Sequence, residues 1–211
     1  MAIATLYDIH GNLAALEAVL AEVPDDATIL VGGDICAGGE QPSETLERLR
    51  ALGDRVVWVR GNTDRELTPG EAAVAPAELL DATRALLSDE QIRFLHALPE
   101  TQQIDRVLYC HASPRNDMDI FTERTPEENI AFLFADVDAD VVVCGHTHMQ
   151  FDRTIAGKRV VNSGSVGAPY EERLGAYWML DLEHRFTPYD GAPEPRLQRE
   201  EALTTFTELG L

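Results

Sequence analysis

The stretch AIATLYDIHGN, residues 2–12, with the LAALEAVLAEV that follows at 13–23, decides the reading of the fold. A short apolar run stops at Asp8, polar residues and a glycine follow, and Leu13, Leu16, Leu20 and Val23 then recur on one helical face. This is a strand, a loop and a helix. The same grammar returns in TILVGGD (28–34) before the helix-like SETLERLRAL (43–52), and in RVVWVRGN (55–62) before a polar break. Strands that alternate with helices predict a buried sheet of α/β type.

Downstream, residues 65–100 lack a buried-strand pattern. APAELLDATRALL and SDEQIRFLHAL read as two helices, the second opened by Ser88 with Glu90 and Gln91 in its first turn and closed before Pro99. They are expected to form a cap-like segment over one edge or face. RVLYCHASP (106–114), a helix over TPEENIAFLFADV (125–137) with Pro126 in its first turn, and ADVVVCGHTHMQF (139–151) resume the strand-loop pattern. From 151 onward, RTIAGKRVVNSGS, GAYWMLDLE and HRFTPYD suggest consecutive antiparallel strands that form a second sheet. A tail helix with Leu203, Phe206 and Leu209 on one stripe is expected to dock on the body. The 211 residues fit a single domain, 1–211.

Thirty-seven acidic against seventeen basic residues give a formal charge of −20, which repels nucleic acid and anionic membranes. Nucleic-acid binding is therefore disfavoured. No apolar run reaches the roughly 20 residues that span a bilayer, and the start carries no basic leader with a long apolar segment, so a soluble cytoplasmic protein is expected. Cys36, Cys110 and Cys144 have no paired spacing and read as reduced packing residues.

The chemistry is positional. Asp8 and His10, Asp34, Asn62, His111, then His146 and His148 all fall at or just past predicted strand ends, where an α/β sheet forms its ligand crevice. Carboxylates, an amide oxygen and imidazoles are all metal ligands. In a straight strand the two rings of His-X-His would face opposite ways, so GHTH is expected where the strand has ended. Glycines 11, 33, 61 and 145 are read as sharp backbone turns beside these residues.

In this order, DIHGN (8–12), GGDICAGG (32–39), GNTD (61–64), YCHASP (109–114) and CGHTH (144–148) resemble the signature of the calcineurin-like metallophosphoesterases, and NSGSVGAP (162–169) resembles a loop of their small prokaryotic phosphodiesterase branch. The resemblance implies a four-layer α/β/β/α sandwich of two mixed sheets flanked by helices. It also implies two divalent ions, with manganese expected and iron or zinc compatible, one held by Asp8, His10 and His148 and the other by Asn62, His111 and His146. Asp34 would bridge them. The implied reaction is hydrolysis of a phosphodiester or phosphomonoester by metal-activated hydroxide, with Asp34, Asn62, Asp64 and His111 as the catalytic set. Asn12 and Arg115 are candidate phosphate contacts. Tyr170 and Arg173 could reach the site, Arg60 reads as a structural ion pair, and His96 and His184 read as non-ligands.

Departures from the pattern narrow the function. GDICAGG and RGNTD differ from the GDxVDRG and RGNHE of the protein phosphatases, which disfavours these and diadenosine tetraphosphatases built on the same pattern. Where many relatives carry a histidine after the asparagine, this chain has Thr63, which cannot act as a general acid near neutral pH. Asp64 then has no imidazole to orient and is expected to buttress the loop or Asn62. A substrate whose leaving group departs without strong protonation is expected. The competing reading is a scaffold of the same fold that binds a partner and turns over weakly or not at all.

Overall fold

The computed structural model describes residues 2–210. Strands β1 (Ile3–Leu6), β2 (Thr28–Val31) and β3 (Val56–Trp58) pair in parallel, and β9 (Ala176–Leu180) and β10 (Glu183–Thr187) extend them antiparallel in a sheet of order β10-β9-β1-β2-β3. A second five-stranded sheet has the order β4-β5-β6-β8-β7, formed by β4 (Thr101–Ile104), β5 (Val107–Cys110), β6 (Val141–Cys144), β7 (Phe151–Ile155) and β8 (Lys158–Asn162). In it β5, β6 and β8 run parallel, while β4 and β7 are antiparallel edges.

The period-2 alternation of each strand divides the core into layers. Leu30, Val59 and Met179 from the first sheet meet Tyr109, Val143 and Val161 from the second, and this apolar layer is what joins the sheets. The opposite faces look outward. Ala4, Leu6, Ile29, Val31 and Trp178 pack under Leu16 and Val19 of α1 (Leu13–Leu20), Leu46 and Leu49 of α2 (Pro42–Arg50), Leu80 of α4 (Ala77–Arg84) and Leu95 of α5 (Asp89–His96). Cys110, Val142, Cys144 and Val160 pack under Ile130, Leu133 and Phe134, which lie in and just after α6 (Glu127–Ile130). Both mixed sheets are thus flanked by helices, the layering expected of the fold.

Three expectations need correction. The segments after 151 do not make a sheet of their own: β7 and β8 pair onto β6, whereas β9 and β10 pair onto β1. The tight turns at Ala156–Gly157 and Asp181–Leu182 are legible locally, but the partner of each hairpin is a long-range choice. The helix over 125–137 is a single α turn followed by a 3₁₀ turn, Ala131–Leu133, a tighter winding that lets Ile130, Leu133 and Phe134 all enter the core. In α7 (Arg199–Leu209), Ala202 and Leu203 are buried, with Phe206 packed beside them, while Leu209 is 66% exposed. Strand β4 carries no apolar signal because TQQI is a polar edge, and such edges resist further pairing.

Candidate metal centre

Every chemistry-bearing cluster lies at the C-terminal end of a parallel strand: Asp8 beyond β1, Asp34 beyond β2, Asn62 beyond β3, His111 beyond β5, and His146 and His148 beyond β6. Because the two sheets are stacked, both sets of ends open on one rim. Asn62 itself begins the short helix α3 (Asn62–Glu66).

Chain direction reverses sharply at these positions. Of the nine described non-glycine residues with positive φ, five are Asp8, His10, Asp34, His146 and His148. The other four, Asp105, Ala156, Asp181 and Leu182, sit in hairpin turns. Left-handed backbone is costly for such side chains and persists where surrounding structure enforces it. Here it turns both imidazoles of GHTH inward after the strand has ended. The glycines act in two ways. Gly11 and Gly33 do adopt positive φ (63° and 95°), whereas Gly61 and Gly145 are needed for space. A Cβ on Gly145 would lie 2.6 Å from Asp8 Oδ2, and one on Gly61 would run into Asp34.

Three histidines are set by backbone carbonyls. Nδ1 of His10 donates to Ala37 O (2.6 Å), that of His111 to Gly32 O (2.9 Å) and that of His148 to Ala168 O (2.7 Å). A carbonyl can only accept, so each Nδ1 bears the proton and each ring, when neutral, points an Nε2 lone pair inward. These nitrogens meet carboxylates. His148 Nε2 is 3.4 Å and His10 Nε2 3.9 Å from Asp8 Oδ1, while His111 Nε2 is 3.5 Å from Asp34 Oδ1 and His10 Nε2 is 3.9 Å from Asp34 Oδ2. Asp34 therefore turns one oxygen to each side. Asp8, His10 and His148 form one group able to hold a cation, and Asp8, Asp34 and His111 form another. His146 stands against His111 with ring centroids 5.1 Å apart, and its amide donates to Asp8 Oδ2.

The donor set fits bound cations. Asp8 Oδ1, Asn62 Oδ1 and His111 Nε2 are buried without any hydrogen-bond partner, a costly arrangement unless something electropositive sits among them. The His10 and His148 Nε2 atoms are 3.1 Å apart, and two facing lone pairs at that distance repel unless a proton or a cation is shared. Charge coupling follows the same geometry. Burial works against charge on His111 and His148, but Asp34 and Asp8 hold both above the ordinary imidazole value. Burial, with His111 adding to it, pushes His146 down to about 4. Burial raises Asp8, and its histidine neighbours more than reverse that.

The surrounding residues are mostly occupied in holding this set. Asp64 Oδ2 accepts from the amides of Asp34 and Gly61, both at 2.9 Å, and Oδ1 from Ile35 (3.0 Å), so it ties the loop after β2 to the loop after β3. Glu66, unheralded in the sequence, is fully buried and accepts from Asn62 Nδ2 (3.2 Å), which turns the amide so that Oδ1 faces the rim. The NSGSVGAP loop acts as a clip: Asn162 Nδ2 donates to Gly145 O (2.6 Å) and Ser165 Oγ to Asp8 O (2.7 Å).

Two candidate substrate contacts are hydrogen-bonded within the protein, Asn12 on the wall of the cleft beside the centre and Arg115 away from it. Asn12 caps α1 through Oδ1 and spends Nδ2 on Gly167 O and Tyr189 Oη. Arg115 is held by the Asp119 carboxylate and lies over the Phe132 ring, in a separate hollow. Arg173 likewise stacks on Phe186, and Arg60 pairs with Glu100 (2.7 Å). His184 bonds Asn162 O, and His96 closes α5. Tyr170 does reach the site, stacked on His148 at 5.2 Å between ring centroids. Beside it a cleft of about 560 Å³ is lined by His10, Thr63, Leu79, His148, Tyr170, Tyr189 and the 193–196 segment, among others.

Stacked mixed sheets with an Asp/His cluster on their shared rim define a metallophosphoesterase architecture. A model of the calcineurin-like phosphoesterase superfamily domain matches residues 1–185, and the chain belongs to that superfamily, by class a phosphoric ester hydrolase. An uncharacterized protein of Methanocaldococcus jannaschii is 28% identical over 200 residues, covering 79% of this chain and 76% of that protein. A symmetrical bis(5'-nucleosyl)-tetraphosphatase of Pectobacterium carotovorum is 32% identical over 54% of this chain, which spans 44% of that enzyme's length. The crystal structure of a metallophosphoesterase from Sphaerobacter thermophilus superposes with a TM-score of 0.76 at 23% identity, covering 100% of this chain and 99% of that one. The motif differences that set diadenosine tetraphosphatases aside thus coexist with measurable similarity to such enzymes. Among the described residues, no helix is long and apolar enough to cross a membrane.

Proposed function

We propose that the rim cluster holds two divalent cations and that the protein hydrolyses a small phosphoester, with a phosphodiester bearing a good leaving group preferred. The observation that carries this reading is the convergence of three carbonyl-anchored imidazole lone pairs with the carboxylates of Asp8 and Asp34 and the unpartnered Asn62 Oδ1. Asp8, His10 and His148 would hold one ion, Asn62, His111 and His146 the other, with Asp34 shared between them. Bound there, such ions would supply Lewis acidity and a nucleophile from water at neutral pH, with manganese proposed from the family resemblance and iron or zinc compatible with the same donors.

The chain's own residues do the rest. Carbonyl anchors keep the imidazoles as donors of electron pairs, and Asp64 keeps the loops of Asp34 and Asn62 in register. Asn62 contributes an oxygen with no further negative charge, which matters where a phosphate must approach an acidic protein. Thr63 lines the cleft, with its Oγ1 buried and unpartnered, in place of a group able to protonate a departing alkoxide. The tetraphosphatase relatives make nucleoside phosphoesters a substrate group to include beside simple diesters. The site faces a small-molecule cleft, and we assign the activity to the cytoplasm.

The test is hydrolysis of bis(p-nitrophenyl) phosphate, of p-nitrophenyl phosphate and of a nucleotide panel by protein loaded in turn with manganese, iron and zinc. Metal-dependent turnover with the diester favoured supports the reading. An inert protein under every loading contradicts it and revives the scaffold alternative.

A further inference from the structure

Part of the wall of the cleft comes from the chain's last segment. The family model ends at residue 185, whereas Tyr189, Gly191 and Pro193 to Arg196 all line the cleft. This segment is moored at both ends. Tyr189 Oη accepts from Asn12 Nδ2 (2.9 Å), and α7 docks through Ala202 and Leu203, with Arg199 Nη1 bonded to Glu171 (2.7 Å). Pro193 and Pro195 stiffen the span between.

Arg196 is the sole Lys or Arg among the residues that line the cleft. Most guanidinium groups of the chain are held by carboxylates or carbonyls, as Arg65 is by Asp117 and Arg153 by Thr125 O. Among the described residues Arg196 has no hydrogen-bond or ion-pair partner, although Glu40 and Glu194 line the same cleft. A Cβ on Gly38 would lie 3.9 Å from both Arg196 Nη2 and His10 Nδ1, so the guanidinium of this exposed residue and the His10 ring flank one glycine. A free planar fork with several donors, in an acidic protein and beside a centre built for phosphate, is suited to a second anionic oxygen group.

We propose that Arg196 is a substrate-binding, specificity-determining residue that takes a second phosphate or phosphonate group of the substrate, next to the one at the metal centre. This rests on the phosphoesterase reading. It assigns the substrate class as phosphoesters with at least two phosphoryl groups, and it makes the segment 189–196 the recognition element.

Binding of methylenediphosphonate and methylphosphonate, neither of which the protein need hydrolyse, is measured calorimetrically on the manganese-loaded full chain. The wild type should bind the diphosphonate more tightly, and Arg196→Gln should lower the diphosphonate-to-monophosphonate affinity ratio by about 10- to 100-fold. Arg196→Lys should recover part of the ratio, and Arg93→Gln, an exposed arginine on α5, should leave it unchanged. A wild type with no preference for the diphosphonate, or an Arg196→Gln ratio equal to that of the wild type, overturns the proposal. Turnover of bis(p-nitrophenyl) phosphate by the same wild-type sample is scored separately. A collapse of the ratio in a protein without turnover would keep the anchor and refute the hydrolase reading.

Discussion

Thr63 stands directly after the candidate ligand Asn62, where the family signature often places a histidine. Its side chain is 6% exposed, its Oγ1 is unpartnered, and its amide donates to Asp34 Oδ1 (2.9 Å), so the backbone role survives while the proton-donating role is absent. Thr63→His should raise turnover of alkyl phosphoesters by about 10²-fold or more and flatten the dependence of rate on leaving-group pKa. An unchanged dependence would mean that another acid already serves. Asp34 is more stringent, since one of its oxygens faces His111 and the other His10. Asp34→Asn should lower kcat at least 10³-fold, read on the chromogenic diester, whereas His96→Ala, at the end of α5, should stay within about twofold.

At the scale of elements, the loops after the strands carry both the chemistry and the strain. Gly145 illustrates this, since a methyl group there would press on Tyr7 as well as on Asp8. Gly145→Ala should cost about 1–3 kcal/mol in urea unfolding and displace the following GHTH turn, with loss of activity. The loop 113–119 is organised around Asp119, 7% exposed, which accepts from Ser113, Arg115 and Asn116. Burial raises this carboxyl, yet the bonds from Arg115, Ser113 and Asn116 hold it below its usual range. A depressed pKa stabilises the fold above the unfolded value and is lost as pH falls through the folded one. Asp119→Asn should therefore destabilise by about 1–3 kcal/mol at pH 7, and the gap should narrow on acidification below about pH 4, checked by urea titration at several pH values. Sequence periodicity made β1, β2, α1 and the position of each cluster legible, because a strand end, a polar residue and a glycine are local signals. It could not show which sheet each late hairpin joins, nor that Asn12 and Arg115 are engaged by the Tyr189 hydroxyl and by Asp119. Glu66 was invisible for the same reason: its partner amide and its burial belong to the tertiary structure.

For the molecule as a whole, two stacked sheets bring strand ends from residues 8 to 148 onto one rim and leave buried donors there without partners. The apo-protein therefore holds uncompensated polar groups, and metal binding should stabilise the native state. At a metal concentration of about 100 times Kd the gain is about 2.7 kcal/mol, so chelation should lower Tm by roughly 5–10 °C for a domain of this size. An identical Tm with and without chelator would speak against the site. The pair of cations can be counted as bound manganese per chain in wild type and Asp34→Asn after loading and desalting. Close to two equivalents are expected in the wild type and one or fewer in the variant; a wild type that retains none, or a variant that retains both, would rule out a two-cation centre bridged by Asp34.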